Sequence, residues 1–139
     1  MARLPVGVVG VGALGRHHAR HLATAAGAEL VGVHDLDHAR GREVAEANGT
    51  RFFPDLDALL SAVEAVTIAV PTPAHAGVGL RSLDRGRAVL MEKPLAATLE
   101  EADALVAMAA RTASQACRSA LGRRQGPPQK KTGSALPVV

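Results

Sequence analysis

Short apolar runs alternate with helix-forming stretches along the first 110 residues of this 139-residue chain. The apolar runs are rich in valine, which is typical of strands buried in a parallel sheet. The stretches between them carry helix signals, with Asp37 and Asp55 as N-caps and Gly27 and Gly86 as stops. This alternation predicts an α/β fold with a parallel sheet. The predicted strands are 4–9, 28–34, 51–53, 65–70 and 88–91, and the predicted helices are 14–26, 38–48, 56–62, 74–85 and 98 to about 111.

A glycine-rich turn follows the first predicted strand. Gly10, Gly12 and Gly15 form the pattern G-x-G-x-x-G between a strand and a helix. Gly10 permits a tight turn, Gly12 has no side chain to keep a pyrophosphate off the backbone, and Gly15 lets the helix approach the strand. The free N–H groups of Ala13 and Leu14, at the positive end of the helix, would then face the phosphates. The pattern predicts a dinucleotide site.

An acidic residue, Asp35, ends the second predicted strand twenty residues after Gly15. An acid at this spacing accepts hydrogen bonds from the adenosine ribose hydroxyls of NAD and would repel the 2′-phosphate of NADP. NAD is therefore the favoured cofactor, although NADP stays an alternative because the positively charged Arg40 is nearby. The alternative is a glycine turn that only packs a helix on a sheet, with Asp35 as an ordinary loop acid. The full set of strand, helix, second strand and acid favours a doubly wound Rossmann-type sheet.

Two further strand ends carry residues suited to a cofactor site. If the first, fourth and fifth strands are neighbours, segment 70–75 and the segment from Glu92 line one crevice with the glycine turn. Lys93 would reach in from the side, where a desolvated crevice beside a nicotinamide cation favours a neutral amine and a proton-relay role. An equally good alternative is a surface salt bridge to Glu92. The candidate cofactor-binding residues of these two segments are Val70, Pro71, Thr72, His75, Glu92 and Lys93.

The net charge of +3 belongs to the C-terminal end of the chain. Residues 111–139 carry six of the 16 basic residues and none of the 13 acidic ones, so the preceding body is mildly acidic. For this reason the charge does not indicate a nucleic-acid partner. The sequence predicts a dinucleotide-binding domain over 1–111 and a basic, disordered tail over 112–139, where Pro, Gly and Ser are common and no apolar periodicity is seen.

Several other functions are disfavoured by composition. No apolar run approaches the roughly 20 residues of a membrane helix. The glycines and the cluster beginning at Arg16 argue against a signal peptide, so a cytoplasmic location is expected. His17 and His21 are spaced to share a metal, but no third ligand follows, and no metal is predicted. Cys117 is the only cysteine and has no activating neighbour, so we interpret it as inert.

Three motifs together resemble the Gfo/Idh/MocA oxidoreductase family. They are the glycine turn with His18-Ala19, the segment P-T-P-A-H at 71–75 and the triplet E-K-P at 92–94. The resemblance covers residues 3 to about 110, which is nearly all of that family's N-terminal nucleotide-binding domain. It implies a dehydrogenase acting on a sugar, nucleotide-sugar or cyclitol hydroxyl, with Lys93 as the catalytic residue contacting nicotinamide ribose and substrate. It also implies that Glu92 helps hold the cofactor and that the bond before Pro94 is cis.

The resemblance ends near Arg111, before the second domain that carries the family's substrate site. We therefore expect a truncated protein with an exposed sheet edge, prone to self-association, that is weakly active or inactive alone. We hypothesise that a reading-frame shift produced the basic tail; resequencing that shows an intact frame would overturn this. The alternative function is a stand-alone NAD-binding sensor or partner subunit without catalysis.

Overall fold

The computed structural model of the chain describes residues 2–121, with side chains described for residues 2–113. Five strands alternate with five α-helices, and a short 3-10 helix, Thr72–Ala74, precedes the fourth α-helix. The strands are β1 Leu4–Val9, β2 Ala28–His34, β3 Arg51–Phe52, β4 Ala65–Ile68 and β5 Ala88–Met91. The helices are α1 Gly15–Thr24, α2 His38–Ala47, α3 Leu56–Ala62, α4 His75–Asp84 and α5 Leu99–Leu121.

All five strands form one parallel sheet in the order β3-β2-β1-β4-β5. Val8 in the central strand lies opposite Val33 of β2 and Thr67 of β4. The strand order reverses at β1, where β2 lies on one side and β4 on the other. Such a reversal places a crevice at the carboxyl ends of the strands. The predicted α/β parallel sheet is confirmed. The first, fourth and fifth strands are neighbours, which was the condition for their ends to line one crevice.

A hydrophobic core lies on each face of the sheet. The larger core includes Leu59 and Leu60 of α3, Leu83 of α4 and Leu105 of α5, all fully buried. The smaller core contains Val8, Val11, Ala19, Val33, Val44 and Ala45. Valine and alanine fill most of the smaller core, because helices that pack closely on a sheet leave room only for short side chains.

The chain has two phenylalanines and no tryptophan or tyrosine, and the two rings pack on opposite faces of the sheet. Phe53 belongs to the larger core, whereas Phe52 packs against the smaller one. Each ring occupies space that a neighbouring glycine leaves open. A Cβ atom at Gly41 would lie 2.3 Å from the Phe52 ring, and one at Gly32 would lie 2.2 Å from the Phe53 ring. The glycines therefore admit the rings.

Most predicted element bounds agree with the structure to within two residues, but the last helix does not. It was expected to end near Arg111, followed by a disordered tail, whereas α5 continues to Leu121. Residues 112–121 are rich in alanine and contain neither glycine nor proline, so nothing in their composition stops a helix. The rest of the predicted tail, 122–139, and the Cys117 side chain lie outside what the structure describes. The domain boundary at 111/112 stays a prediction.

Among residues 2–121, no helix is both long enough and apolar enough to cross a membrane.

Candidate cofactor-binding site

The glycine turn joins β1 to α1, and two of its glycines are required by the backbone geometry. Gly10 has a φ of 86°, a left-handed conformation that residues with a side chain rarely adopt. At Gly15 a Cβ atom would lie 1.7 Å from the carbonyl oxygen of Gly10. Gly15 therefore allows α1 to begin directly against the turn, as predicted from the sequence.

Gly12 is different, because a Cβ atom there would meet nothing within 4 Å. The fold itself places no demand on this position. The open space beside the Gly12 backbone faces a cleft of which Gly10 and Gly12 are both lining residues. A glycine that the fold does not need, at the edge of a cleft, fits a backbone surface approached by a ligand.

The first turn of α1 presents unused hydrogen-bond donors. Leu14 is its N-cap residue and no side chain caps the helix. Between Gly12 and Arg16, in the part of the chain that the structure describes, Arg16 is the first residue whose N–H group has a backbone acceptor. It donates to Gly12 O at 3.0 Å. The N–H groups of Ala13 and Leu14 precede it, and both residues are exposed. Free donors at a helix start are suited to phosphate oxygens.

Asp35 lies directly after β2, and its carboxylate accepts hydrogen bonds from the glycine turn and from its own loop. The N–H of Val11 donates to Asp35 Oδ2 at 2.9 Å, and the N–H of Asp37 donates to Oδ1 at 2.8 Å. The guanidinium of Arg40 reaches both oxygens, from Nη2 to Oδ1 at 3.0 Å and from Nε to Oδ2 at 3.2 Å. Only 5% of Asp35 is exposed. The carboxylate is therefore fixed at the edge of the cleft.

These contacts keep Asp35 ionised. Burial alone would raise the pKa of the carboxyl. The hydrogen bonds from Arg40, Val11 and Asp37, together with the positive charge of Arg40, outweigh burial and lower the pKa of Asp35 below its ordinary value. The pair with Asp35 correspondingly raises the pKa of Arg40. An ionised carboxylate only accepts hydrogen bonds, as a partner for hydroxyl groups must.

A cleft of about 430 Å³ runs between the glycine turn, the end of β2 and the segment after β4. This volume lies in the range of small-molecule sites. The predicted residues that line it are Gly10, Gly12, Asp35, Val70 and Pro71, joined by Arg40. In the described part of the chain, the other predicted residues are not among its lining: Ala13, Leu14, Gly15, Thr72, His75, Glu92 and Lys93.

The cleft also has an apolar wall that the sequence motifs did not identify. Leu36 follows Asp35 and is 89% exposed, although it is a leucine. Further apolar surface comes from Pro54 after β3, Leu56 of α3, Ala74 of the 3-10 helix and Val78 of α4. A leucine directly after Asp35, where the chain leaves the strand, was the available signal for this wall. An apolar surface of this kind is suited to the flat face of a base.

His75 is buried, and its ring joins two of the predicted segments. Its Nε2 lies 2.9 Å from the carbonyl oxygen of Val70, and its Nδ1 lies 2.8 Å from that of Pro94. Only 2% of the residue is exposed. In this structure the ring nitrogens contact the chain's own backbone. His75 therefore ties the end of β4 to the segment that follows β5.

The segment after β5 carries Glu92, Lys93 and Pro94. Oε1 of Glu92 lies 2.6 Å from Nε2 of His18 in α1, so the glutamate is paired with this helix. The alternative of a Lys93–Glu92 salt bridge is not seen among the described residues; Lys93 is exposed. The peptide bond between Lys93 and Pro94 is cis, as the resemblance implied.

The parallel sheet, the glycine turn and the acid after β2 define a nucleotide-binding Rossmann domain. The model of the oxidoreductase family with an NAD-binding Rossmann fold, Gfo/Idh/MocA, matches residues 4–118. The chain belongs to this family. The predicted family and its cofactor, NAD, are confirmed, and the match extends past Arg111, where the resemblance was expected to end.

Dehydrogenases of sugars and cyclitols are among the similar proteins. UDP-N-acetylglucosamine 3-dehydrogenase of Acidithiobacillus ferrooxidans is 45% identical over 109 residues, which is 78% of this chain and 34% of that protein. Inositol 2-dehydrogenase of Rubrobacter xylanophilus is 45% identical over 107 residues, covering 75% of this chain and 31% of that protein. The chain therefore spans about a third of the length of these relatives.

A solved structure supports the same comparison. The myo-inositol dehydrogenase of Lactobacillus casei, in complex with NAD(H) and myo-inositol, superposes with a TM-score of 0.74 at 34% sequence identity. The superposition covers 79% of this chain and 34% of that one. A relative of the same fold thus holds the cofactor that the glycine turn and Asp35 predict.

Proposed function

We propose that this chain is the cofactor-binding part of an NAD-dependent dehydrogenase that oxidises a hydroxyl group of a sugar, nucleotide sugar or cyclitol. The observation that carries the proposal is the meeting of three strand ends at one edge of the sheet. The glycine turn follows β1, Val70 and Pro71 follow β4, and the segment from Glu92 follows β5. The substrate class rests on the names of the similar dehydrogenases.

The residues of the cleft fit a dinucleotide. The open space at Gly12 admits a pyrophosphate to the backbone, and the N–H groups of Ala13 and Leu14 are placed to donate to its oxygens. Asp35 accepts hydrogen bonds from the adenosine ribose hydroxyls, and Leu36 covers the base. On the nicotinamide side we assign Val70, Pro71, Thr72 and Glu92, and we infer that His75 acts by holding this side together.

We assign to Lys93 the role of proton acceptor for the substrate hydroxyl. When bound, NAD⁺ supplies the acceptor for the hydride that leaves the carbinol carbon. The hydroxyl of that carbon must lose its proton in the same reaction, and we assign the Lys93 amine as the group that accepts it. Lys93 is exposed and follows the paired Glu92, so its amine is free to face a substrate. The second domain of the relatives would supply the rest of the substrate site.

Calorimetric titration with NAD⁺ tests the cofactor site. We expect the chain to bind NAD⁺, and Asp35→Ala to weaken binding by about tenfold, since a charged hydrogen-bond acceptor is lost. Asp103→Ala is the matched control, because Asp103 is an exposed carboxylate on α5. A folded chain that does not bind NAD⁺ would overturn the proposal.

Turnover is measured separately, with myo-inositol and UDP-N-acetylglucosamine as substrates. We expect the chain alone to reduce little or no NAD⁺. We expect Lys93→Met to abolish any reduction that is detected and to weaken NAD⁺ binding much less than Asp35→Ala does. NAD⁺ binding without reduction, together with copurification of a protein that carries the second domain, would favour the partner-subunit alternative.

A further inference from the structure

The ring of His75 lies between carbonyl oxygens on two sides. Nε2 is 2.9 Å from the oxygen of Val70, and Nδ1 is 2.8 Å from that of Pro94 and 3.3 Å from that of Leu95. A backbone carbonyl oxygen accepts hydrogen bonds and cannot donate them. In the part of the chain that the structure describes, no donor group contacts either nitrogen. Each ring nitrogen therefore faces an acceptor.

A neutral imidazole does not satisfy this arrangement. It carries one N–H group, and its other nitrogen is an acceptor with a lone pair. Whichever nitrogen carried the hydrogen, the lone pair of the other would face a carbonyl oxygen 2.8 or 2.9 Å away. The doubly protonated ring has an N–H donor on each nitrogen and matches both contacts. The contacts therefore select the imidazolium form.

Two effects oppose a charge on this ring. Only 2% of His75 is exposed, and burial disfavours a cation. His75 is also the first residue of α4, where the helix dipole disfavours positive charge. Three carbonyl oxygens within 3.3 Å act against both effects, because each presents the negative end of its dipole to an N–H group.

We propose that His75 is a buried imidazolium that positions the Lys93 segment by donating to Val70 and Pro94 at once. Val70 lines the cofactor cleft, and Pro94 follows Lys93 directly. Loss of one proton leaves one N–H donor, so one of the two carbonyl contacts is lost and the end of β4 is no longer tied to the Lys93 segment. The protonation state stands on these contacts alone, whereas its effect on NAD⁺ binding rests on the proposed function.

No carboxylate in the described part of the chain forms an ion pair with the ring. The end of β4 and the 3-10 helix contain no ionisable residue. The ionisable residues after β5 and in the first two turns of α4 and α5 are Glu92, Lys93, Arg81, Glu100, Glu101 and Asp103. Glu92 pairs with His18, Arg81 pairs with Asp57, and Glu101 accepts from the N–H of Ala97. The carbonyl oxygens are therefore the groups that hold the second proton.

Nitrogen NMR of the chain, labelled with nitrogen-15 in its six histidines, tests the protonation state. We expect both ring nitrogens of His75 to carry hydrogen at about pH 7. The signals of His75 are those that disappear in His75→Gln; if this variant unfolds, replacing each of the other histidines by glutamine assigns them by elimination. The amide signals of Lys93 and Leu95 should shift as the ring loses a proton. A ring with one protonated nitrogen at this pH, or amide signals that ignore its titration, would overturn the proposal.

Calorimetric titration with NAD⁺ between about pH 6 and pH 9 tests the effect on the cofactor site. We expect the affinity of the wild-type chain to fall by about threefold to tenfold as His75 loses its proton, as for loss of one charge-assisted hydrogen bond. His75→Gln has two N–H donors on a neutral amide, so it should lose this pH dependence while keeping part of the affinity.

The matched control is His21→Gln, because His21 is exposed on α1. It should keep the pH dependence of the wild-type chain. The same pH dependence in His75→Gln would overturn the positioning role and leave the proposed function standing. A folded wild-type chain that binds no NAD⁺ at any pH would overturn the proposed function, while the NMR signals of His75, Lys93 and Leu95 would still decide the inference.

Discussion

His18 and Glu92, which are 74 residues apart in sequence, form a 2.6 Å contact between Nε2 and Oε1. The contact joins the first helix after the glycine turn to the segment that leads into Lys93. Both side chains are part-exposed, at 26% and 35%. The two ends of the proposed cofactor site, the phosphate side and the nicotinamide side, are therefore connected directly through side chains as well as through the sheet.

We expect the His18–Glu92 contact to contribute about 0.5–1 kcal/mol to the free energy of unfolding, the usual range for a part-exposed pair. A double-mutant cycle with His18→Ala, Glu92→Ala and the double variant, measured by urea unfolding, isolates this coupling. The control is a second cycle in which His17→Ala takes the place of His18→Ala. His17 is exposed on the same helix and contacts Arg20. Additive effects in the His18 cycle would show that the contact does not stabilise the fold.

Gly15→Ala should destabilise the protein by about 3 kcal/mol, because the added methyl group would overlap the backbone of the turn and force it to move. The clash is with Gly10 O, at 1.7 Å from the ideal Cβ position. Gly77→Ala is the matched control. Gly77 is exposed in α4 with nothing within 4 Å of its Cβ position. The control should stabilise the helix by about 0.5–1 kcal/mol. Equal unfolding midpoints for the two variants would contradict the close approach of α1.

Gly12→Ala should leave the unfolding midpoint unchanged and weaken NAD⁺ binding by about tenfold or more. The added methyl group meets nothing in the fold within 4 Å, yet it enters the space through which a pyrophosphate approaches the backbone. Calorimetry and thermal unfolding on the same sample separate the two effects. Unchanged NAD⁺ affinity in a folded Gly12→Ala chain would place the pyrophosphate elsewhere.

The sheet could be predicted from the sequence because its signals are local. The strands β1, β2 and β5 match the predicted ranges without a shift, and each is a mostly apolar run bounded by glycine, aspartate or proline nearby. The glycine turn and Asp35 were found for the same reason, since a fixed spacing reports a fixed geometry. The helical bounds were less accurate at α5, where the alanine-rich composition of 112–121 outweighed the lack of apolar periodicity.

The contacts of individual side chains could not be predicted from spacing. Glu92 was considered as a partner of Lys93, its neighbour in sequence, but it pairs with His18 because the fold brings this side chain of α1 within reach of the segment after β5. His75 was assigned to the cofactor by its motif, and the structure shows its ring between the carbonyl groups of Val70 and Pro94. Such pairings depend on the order of the strands, which is a non-local property.

His75→Leu should destabilise the protein by about 2–4 kcal/mol. Leucine lacks the ring nitrogens that lie within hydrogen-bond distance of two carbonyl oxygens, and at least one of these oxygens is then left without its donor in a poorly solvated place. His21→Leu is the control, since His21 is exposed on α1 and should change the free energy of unfolding by less than about 0.5 kcal/mol. Urea unfolding measures both. A change in His75→Leu as small as that of the control would mean that the ring does not hold the two segments together.

The stability of the protein should fall in acid partly because of Asp35. Its pKa is lowered in the folded state, so its ionised form stabilises the fold above the unfolded-state pKa of about 3.9. This contribution is lost as the pH falls below that value and through the folded-state pKa. Urea unfolding between about pH 6 and pH 2 should therefore show a smaller loss of stability for Asp35→Asn than for the wild-type chain.

In Asp35→Asn the free energy of unfolding should still fall as the pH is lowered, because Asp57 contributes to this pH dependence in the same direction. The hydrogen bond from Arg81 and the charges of Arg81 and Arg85 lower the pKa of Asp57 in the folded state. Asp57 is more exposed than Asp35, so solvent screens its pair with Arg81 and Asp57→Asn should flatten the slope less. A wild-type acid slope that Asp35→Asn leaves unchanged and Asp57→Asn removes would show that the buried carboxylate at the cofactor site is not the residue linked to acid unfolding.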